Sequence, residues 1–445
     1  MKSIGNVSIM IVFFLFLINQ FISNYTITIL YTFLTLLIIL FSIIFSNKLS
    51  QLFGFFMLII SFSILLYKQA SLGFWIEGIT ENLPLICLIV IVPVLGIPIS
   101  LGNYNEHLSN MILRFQNNLG ALYLMVAGLF ELIAPITNMG SIYIIHTVLN
   151  KTNIPSNFLG RVYIRSITSV HTWSPYFVSV FLVVYSLHIP IHSYLPYGIL
   201  LSFFQVTIAF ILFSYIEKQN IKMEIYKKTK YQNNVKIIEL FLVIFLLTGF
   251  IFIFEPFTSI NISILVSLIV LVFSLLWSIY LNMLTPFFKQ VKKYANSILH
   301  NRADEVNLLL NAGLFGVILS STRFSQYINV IWEYLVNISV FFLILGIIIV
   351  VAMLAFIGVH QIVTVSTIVA TVSFTDLGIS SIVMAMTLLS AWSIAVIISP
   401  ISPANIIVSN LLKENPFSVI LSNLVYALLL IFFQTLIIYS LHFVI

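Results

Sequence analysis

Charged side chains are scarce in this sequence. Asp, Glu, Lys and Arg make up 7% of the 445 residues, against about 25% in an ordinary soluble domain. Apolar and aromatic residues account for 61%. This composition excludes a soluble enzyme, a disordered chain and a fibrous repeat. It indicates a chain whose solvent is the lipid bilayer.

Several kinds of chemical site are missing as well. Cys87 is the single cysteine, which excludes a disulfide framework and a Cys-based metal site. The 8 histidines form no cluster at metal-ligand spacing, and no phosphate-cradling glycine motif is present. We therefore predict no metal, no cofactor beyond a coupling ion, and no enzymatic activity.

Long apolar runs are what the sequence has in abundance. A hydrocarbon core about 30 Å thick needs roughly 20 apolar residues per helical span, and each span must close its own backbone hydrogen bonds. The predicted fold class is an all-α polytopic membrane protein with about 11 transmembrane helices, the first of them, within 1–25, being a retained extra span. The predicted spans are 7–23, 26–46, 51–67, 84–101, 154–187, 195–217, 236–254, 261–283, 306–322, 378–412 and 415–443.

The placement of basic residues predicts the orientation in the cell membrane. Lysines are concentrated in a linker at 218–235 and in a loop at 284–305, two spans apart, so both can be cytoplasmic. Counting spans from there puts the N-terminus inside and the C-terminus outside, provided that 119–150 and 344–375 are re-entrant hairpins. All but two of the 19 Lys and Arg then lie toward the inside. The net charge of +6 is thus a topology signal, and no nucleic-acid partner is needed to explain it.

The two halves of the chain repeat one order of elements. A Ser-Pro pair at 174–175 recurs 225 residues later, at 399–400, and each pair interrupts a predicted span. Each half gives a span, an amphipathic stretch, a polar-centred hairpin, a broken span and a final span. The two broken spans would run in opposite directions, so 26–217 and 236–445 are predicted inverted repeats. The alternative is that two apolar halves align by chance.

Inverted repeats with broken helices are the usual plan of secondary transporters. A broken helix leaves unpaired N–H and C=O groups at membrane depth. These groups are tolerable only beside protein or a wet cavity, where they can bind ions and polar solutes.

This order of elements resembles the ion-transporter superfamily, in particular the divalent anion:sodium symporters. The resemblance implies eleven spans with an extra N-terminal one, two inverted repeats, a homodimer, and Ser-Asn-Thr at the hairpin tips, where Na⁺ and a substrate carboxylate bind. Here the first tip is Ile-Thr-Asn-Met at 136–139, of which Thr137 and Asn138 match that motif. The second tip, Val-His-Gln-Ile-Val-Thr at 359–364, departs from it.

Polar residues at the two tips and two breaks form the predicted solute and ion site. Hydroxyl, amide and freed carbonyl oxygens suit a small cation, and half-helix N-termini suit an anion. Alternatively, each hydroxyl bonds back onto its own helix. The candidates are Thr137, Asn138, Ser141, Thr172, Ser174, Gln361, Thr364, Ser366, Thr367, Ser399, Ser402 and Asn405.

Five titratable residues add charge to this picture. Arg165 shares a helical face with Arg161 and could attract an anionic solute, or both could reach the headgroups. Glu131 is the only carboxylate of the first hairpin; it could carry a coupling proton or pair with Arg165. His171 and His360 are further proton-coupling candidates, the alternative being neutral, hydrogen-bonded rings.

These features predict a secondary active transporter of a small anionic solute, coupled to H⁺ or Na⁺. The hairpins and broken spans would move as a transport domain against a scaffold, with the amphipathic stretches 102–118 and 324–340 as hinged cradles. One alternative is a membrane glycan polymerase or ligase acting on lipid-linked sugars, although the outer loops are short for that class. Another is a lipid flippase or channel subunit, which a full membrane crossing by 119–150 would favour.

Overall fold

All regular structure in the described part of the chain is helical. The computed structural model describes residues 2–115, 117–150, 154–220, 235–258, 261–372, 374 and 377–445, and within these ranges it contains no strand. The α-helices of the first half are α1 (Lys2–Ile22), α2 (Tyr25–Phe45), α3 (Lys48–Tyr67), α4 (Leu72–Thr80), α5 (Leu83–Ile91), α6 (Gly96–Leu101), α7 (Tyr104–Arg114), α8 (Leu119–Thr137), α9 (Gly140–Leu149), α10 (Ser156–Val170), α11 (Val178–Ser186) and α12 (Ile191–Leu212). Those of the second half are α13 (Val235–Phe254), α14 (Ile262–Tyr280), α15 (Leu284–Ala295), α16 (Ile298–Ser320), α17 (Arg323–Ile338), α18 (Val340–Phe356), α19 (Gln361–Thr371), α20 (Ser381–Ile398), α21 (Pro403–Leu412) and α22 (Pro416–His442).

Short helices of other types join some of these elements. A π-helical turn, Phe213–Glu217, continues α12. The 3₁₀ turns are Val92–Leu95, Lys218–Asn220 and Glu255–Phe257.

Eleven helical segments among the described residues are long and apolar enough to cross a membrane. The predicted fold class is therefore confirmed, and the number agrees. The set of helical segments that qualify differs from the set of predicted spans at one place. Leu119–Thr137, expected as one arm of a hairpin, qualifies by length, whereas the predicted span 154–187 is divided between α10 and α11, which are both short. That 119–150 and 344–375 return to their own side stays a prediction.

Asparagine side chains determine where several of these helices begin. An asparagine placed before the first helical residue accepts a hydrogen bond from an N–H group of the first turn, which has no partner inside the helix. The sequence therefore specifies these starts locally. The asparagines that cap in this way are Asn24 of α2, Asn47 of α3, Asn118 of α8, Asn261 of α14 and Asn415 of α22.

The chain divides into two units, and the first comprises Met1–Leu101, Phe254–Ile331 and Ile362–Ser373. In this unit α16 packs against the helices α1 to α5. Asn307, fully buried in α16, donates its side-chain N–H to the Ser50 carbonyl at 2.7 Å. Gly54 leaves room for that amide, since a Cβ there would lie 2.3 Å from the Asn307 oxygen. Polar bonds between closely spaced helices are a common source of cohesion in membranes.

The second unit comprises Gly102–Ile253, Trp332–Gln361 and Phe374–Ile445. Here α10 is central and packs against α8, α12, α20, α21 and α22. This unit therefore contains both Ser-Pro sites and the segment predicted as the first hairpin. Each unit contains segments from both halves of the chain. The two units therefore do not correspond to the two predicted repeats, and the repeats stay a prediction.

One stretch expected as a loop is helical. Residues 284–305 contain α15 and the start of α16, which begins at Ile298 rather than at 306. The apolar and basic residues of α15 alternate with a helical period, so Phe287 is buried while the lysines are exposed. Most of the predicted linker, 221–234, lies outside the described residues.

Candidate functional site

Helical structure is interrupted at both Ser-Pro pairs. In the first half the interruption lies between Val170, the end of α10, and Val178, the start of α11. In the second half it lies between Ile398 and Pro403. Proline lacks a backbone N–H and disfavours helical geometry in the preceding residue, and Ser399 accordingly has extended dihedral angles, φ −77° and ψ 122°. Both breaks free carbonyl groups deep inside the second unit.

Hydroxyl groups from neighbouring helices satisfy the freed carbonyls of the first break. Ser179 donates to the His171 carbonyl at 2.9 Å, and Tyr194 donates to the Thr172 carbonyl at 2.7 Å. The Thr172 hydroxyl bonds back to the Ser169 carbonyl at 2.7 Å. The freed carbonyls of His171 and Thr172 are therefore bonded within the protein, and of residues 171–177 all but the half-buried Trp173 are buried.

Ser174, the other candidate at this break, is fully buried beside it. Its hydroxyl oxygen accepts a long hydrogen bond from the Tyr176 N–H at 3.4 Å. This bond is near the upper limit of hydrogen-bond length and is correspondingly weak.

Two side chains, Asn405 and Ser402, bond to the freed carbonyls of the second break. The Asn405 amide donates to the carbonyls of Val396, Ile397 and Ser399 at 3.1, 2.9 and 2.9 Å. Ser402 caps α21, since its hydroxyl oxygen accepts from the Asn405 N–H at 3.3 Å and its hydroxyl donates to the Val396 carbonyl at 2.9 Å. The geometry of the second break is thus fixed by side chains that belong to α21 and its N-cap.

Some candidate residues carry a buried oxygen with no hydrogen-bond partner among the described residues. Leaving a buried polar atom unpaired costs about 1–3 kcal/mol, so each such atom calls for an explanation. Near the second break these oxygens are Ser399 Oγ and Asn405 Oδ1, both fully buried. The others are Gln361 Oε1 at the start of α19 in the second unit, and Thr364 Oγ1 and Ser366 Oγ in the first unit.

The first predicted tip is a tight turn between α8 and α9. Asn138 has φ +52° and ψ −131°, a positive φ that residues other than glycine seldom adopt, and its side chain accepts from the Met139 N–H at 2.8 Å. The Thr137 hydroxyl bonds to its own helix, at the Ile133 carbonyl, and Ser141 bonds to the Asn138 carbonyl at 2.7 Å. Both hydroxyls therefore bond to nearby backbone carbonyls, which was the alternative to a role in binding.

Of the three described candidate hydroxyls near the second predicted tip, those of Thr364, Ser366 and Thr367, one bonds back onto its own helix. Thr367 bonds to the Val363 carbonyl of its own helix at 2.8 Å. His360 is half-buried in the connection from α18 to α19.

Glu131 is bound entirely by neutral donors. Its Oε1 accepts from Ser169 at 2.5 Å and from Ser202 at 3.0 Å, and its Oε2 accepts from the Trp173 indole N–H at 2.6 Å. These donors belong to α10, to the first break and to α12. Glu131 therefore links the predicted hairpin to the first break. His171 is not among these three donors, and its Nδ1 donates to the Ile167 carbonyl at 2.8 Å.

Arg165 is bound by another carboxylate. Its two terminal nitrogens donate to the two Glu217 oxygens at 3.0 and 2.8 Å, and its Nε donates to Asn423 Oδ1 at 2.9 Å. The guanidinium is 1% exposed and lies 5.1 Å from the centre of the Tyr426 ring. This corrects two expectations: the partner is Glu217 rather than Glu131, and Arg165 does not reach the headgroups. Its donors are engaged, so the solute site proposed below does not include it.

Glu217 and the ligands of Glu131 were missed in the sequence. Glu217 stands at the end of a predicted span, where a solvated carboxylate is unremarkable, but the π-helical turn directs it toward Arg165. The available signal was the charge itself, within an apolar run. Ser169, at the end of α10, and Trp173, in the first break, carry no comparable signal in the sequence.

The fold is similar to that of the YdaH transporter of Alcanivorax borkumensis, whose crystal structure is described as having an unusual topology. The TM-score is 0.59, the sequence identity is 15%, and the match covers 82% of this chain and 86% of that chain. No family model and no curated protein matches the sequence. At this identity the likeness concerns the fold. The chain is thus a multi-pass membrane protein with a transporter-like fold.

Proposed function

We propose that this protein is a secondary active transporter of a small anionic solute, coupled to H⁺ or Na⁺. The observation that carries the proposal is the presence of two broken helices in one unit, with buried, unpartnered oxygens of Ser399 and Asn405 at the second break. Broken helices at membrane depth are where such transporters bind solutes and ions. The transporter-like fold supports the same class.

A contact between two residues at equivalent positions of the predicted repeats supports the inverted repeats. Ser393 and Thr168 are 225 residues apart, the same offset as the two Ser-Pro pairs. The Ser393 hydroxyl lies 3.0 Å from the Thr168 carbonyl. A residue can contact its own counterpart only close to the axis that relates two repeats. Alternating access would then exchange the roles of the two broken helices.

The two breaks favour different coupling ions. Ser399 Oγ and Asn405 Oδ1 are hard oxygen acceptors, which suit Na⁺. At the first break Glu131 has only neutral donors, which suits a proton. The solute's charge would be met by the N-termini of α9 and α21, since Arg165 is already neutralised. We further propose a homodimer in the cell membrane, with the N-terminus inside and the C-terminus outside, and no enzymatic activity.

Thermal unfolding of the purified protein in detergent tests coupled binding. The conditions are Na⁺, Li⁺ or choline at several pH values, each with a panel of small anions. A ligand at a hundred times its Kd adds about 2.7 kcal/mol to the stability, so specific binding is measurable. An anion effect that requires Na⁺ supports symport with Na⁺, and one that depends only on pH supports H⁺. The absence of any effect would contradict the proposal.

Two serine variants locate the cation. Ser399 and Ser390 are both fully buried, and neither hydroxyl has a hydrogen-bond partner among the described residues. Ser399→Ala and Ser390→Ala should therefore have similar, small effects on the stability of the ligand-free protein. Only Ser399→Ala should weaken stabilisation by Na⁺, because only Ser399 lies at the break. Equal Na⁺ responses of the two variants would remove the cation from the second break.

A further inference from the structure

A groove of about 1090 Å³ lies in the first unit, apart from the broken helices. It runs between the segment 93–100 and the amphipathic helix α15. Three of its lining residues, Lys289, Lys292 and Lys293, are exposed lysines of α15. Among the described residues none of the three forms an ion pair. The groove therefore carries an unneutralised positive charge.

The position of α15 in the chain places the groove at the membrane surface. Three residues separate α15 from α14, and two separate it from α16. Both neighbours are long and apolar enough to cross a membrane. A helix of 12 residues between two spans must lie near the headgroups, since its connections are too short to reach further.

The floor of the groove is apolar and firmly held. Ile97 lines the groove, and the buried cluster that it forms with Val94 and Phe287 lies behind it. The Tyr294 hydroxyl donates to the Val90 carbonyl at 2.9 Å, and burial raises the pKa of Tyr294 to about 12, so this donor keeps its proton. The helix is thus fixed against the segment 93–100 before any ligand binds.

We propose that this groove binds one anionic phospholipid. The lysines would hold the phosphate and the apolar floor would hold the glycerol and upper acyl carbons. Basic pockets beside membrane helices bind anionic headgroups in this way. If the lysines served only to set the membrane topology, that role would explain the side of the membrane on which they lie. It would not require a groove with an apolar floor beside them. The proposal is independent of the transported solute.

Native mass spectrometry of the full chain in detergent tests the site, because it counts retained lipids. The probes are palmitoyl-oleoyl phosphatidylglycerol, the matching phosphatidylcholine, and inorganic phosphate. The test variant is Lys289→Gln/Lys292→Gln/Lys293→Gln. The charge-matched control is Lys48→Gln/Lys218→Gln/Lys413→Gln, which changes exposed lysines elsewhere. Lys289→Arg/Lys292→Arg/Lys293→Arg should retain binding, which separates loss of charge from misfolding.

The wild type and the control variant should retain one phosphatidylglycerol in preference to phosphatidylcholine. The groove variant should bind it more weakly by a factor of about 5 per lysine removed, or roughly 100 in all. Retention by the groove variant equal to that of the wild type would overturn the proposal. Displacement of the lipid by millimolar inorganic phosphate would also overturn it and would assign the groove to a free anion.

Discussion

Two carboxylates of the second unit have opposite surroundings. Glu217 is bound to the guanidinium of Arg165, so its charge is balanced inside the protein. Glu131 accepts only from Ser169, Ser202 and Trp173, which are neutral, and among the described residues no Lys or Arg pairs with it. A charge balanced by a fixed partner is structural, whereas a charge held by neutral donors can be gained or lost with a proton.

Glu217→Gln should be strongly destabilising. It leaves the Arg165 charge buried and unpaired, which costs about 3–5 kcal/mol. The control is Glu305→Gln, which removes the partner of Arg302 in a partly exposed pair with side chains 20% and 27% exposed. That change should cost about 1 kcal/mol or less. Equal losses of thermal stability in detergent would show that the buried pair contributes no more to stability than the partly exposed pair.

A double variant tests the same point from the other direction. Arg165→Met/Glu217→Leu removes both charges together and should recover most of the stability lost in Glu217→Gln, because apolar replacements of a buried pair are often tolerated. The double variant also removes the second ion-pair partner of Glu217, since Arg161 lies 3.6 Å from it. If the double variant is less stable than Glu217→Gln, the contacts other than the Arg165–Glu217 pair dominate: those of Arg165 to Asn423, Ser422 and Tyr426 and that of Glu217 to Arg161.

Glu131→Gln should remove pH-dependent transport while preserving the fold. The glutamine oxygen can accept from Trp173, and its NH₂ group can donate to the hydroxyls of Ser169 and Ser202, which can rotate to accept. The carboxyl proton, however, is gone. Solute binding or uptake measured from pH 5 to 8 should vary with pH in the wild type and be flat in the variant. An unchanged pH profile would exclude Glu131 as the coupling site.

At the scale of elements, the Ser-Pro pairs predicted where helices break but not how each break is closed. The dihedral restriction imposed by proline is local, so the sequence reveals it. The bonds from Tyr194 and Ser179 to the first break join residues that only packing brings together.

Close packing of α12 against the first break gives a further prediction. A Cβ on Gly198 would lie 2.7 Å from the Thr172 carbonyl oxygen and 3.0 Å from Trp173 Cα. Gly198→Ala should therefore push α12 off the break and destabilise the protein by about 1–3 kcal/mol. Gly249→Ala in α13 is the control, because a Cβ there meets nothing within 4 Å, and it should be neutral or slightly stabilising. Equal thermal stability of the two variants would contradict the tight packing.

At the scale of the molecule, the orientation of every helix after 119–150 depends on whether this segment returns to the side it came from. Length does not decide it, since α8 alone is long enough to cross. The charge pattern predicts a return, because a full crossing would reverse the orientation of everything that follows.

Single-cysteine labelling in a Cys87→Ser background tests the topology. Asn117→Cys and Lys151→Cys, at the two ends of the segment, should both react with a membrane-impermeant reagent from the cytoplasmic side. Thr258→Cys, between α13 and α14, should react only from outside and serves as the control for sidedness. Reaction of the residue-117 and residue-151 variants from opposite sides would make 119–150 a full crossing and would favour the flippase alternative.

The sequence by itself determined the all-helical membrane class, most of the spans, the starts of the five asparagine-capped helices and the positions of the two breaks. These depend on composition, on apolar run length, on asparagine caps and on proline, which act locally. Only the tertiary structure decided that Arg165 pairs with Glu217, that Glu131 is held by three neutral donors, and that Ser399 and Asn405 keep unpaired oxygens. Those outcomes depend on which side chains from distant segments meet when the helices pack, and apolar spans of similar composition carry little information about their neighbours.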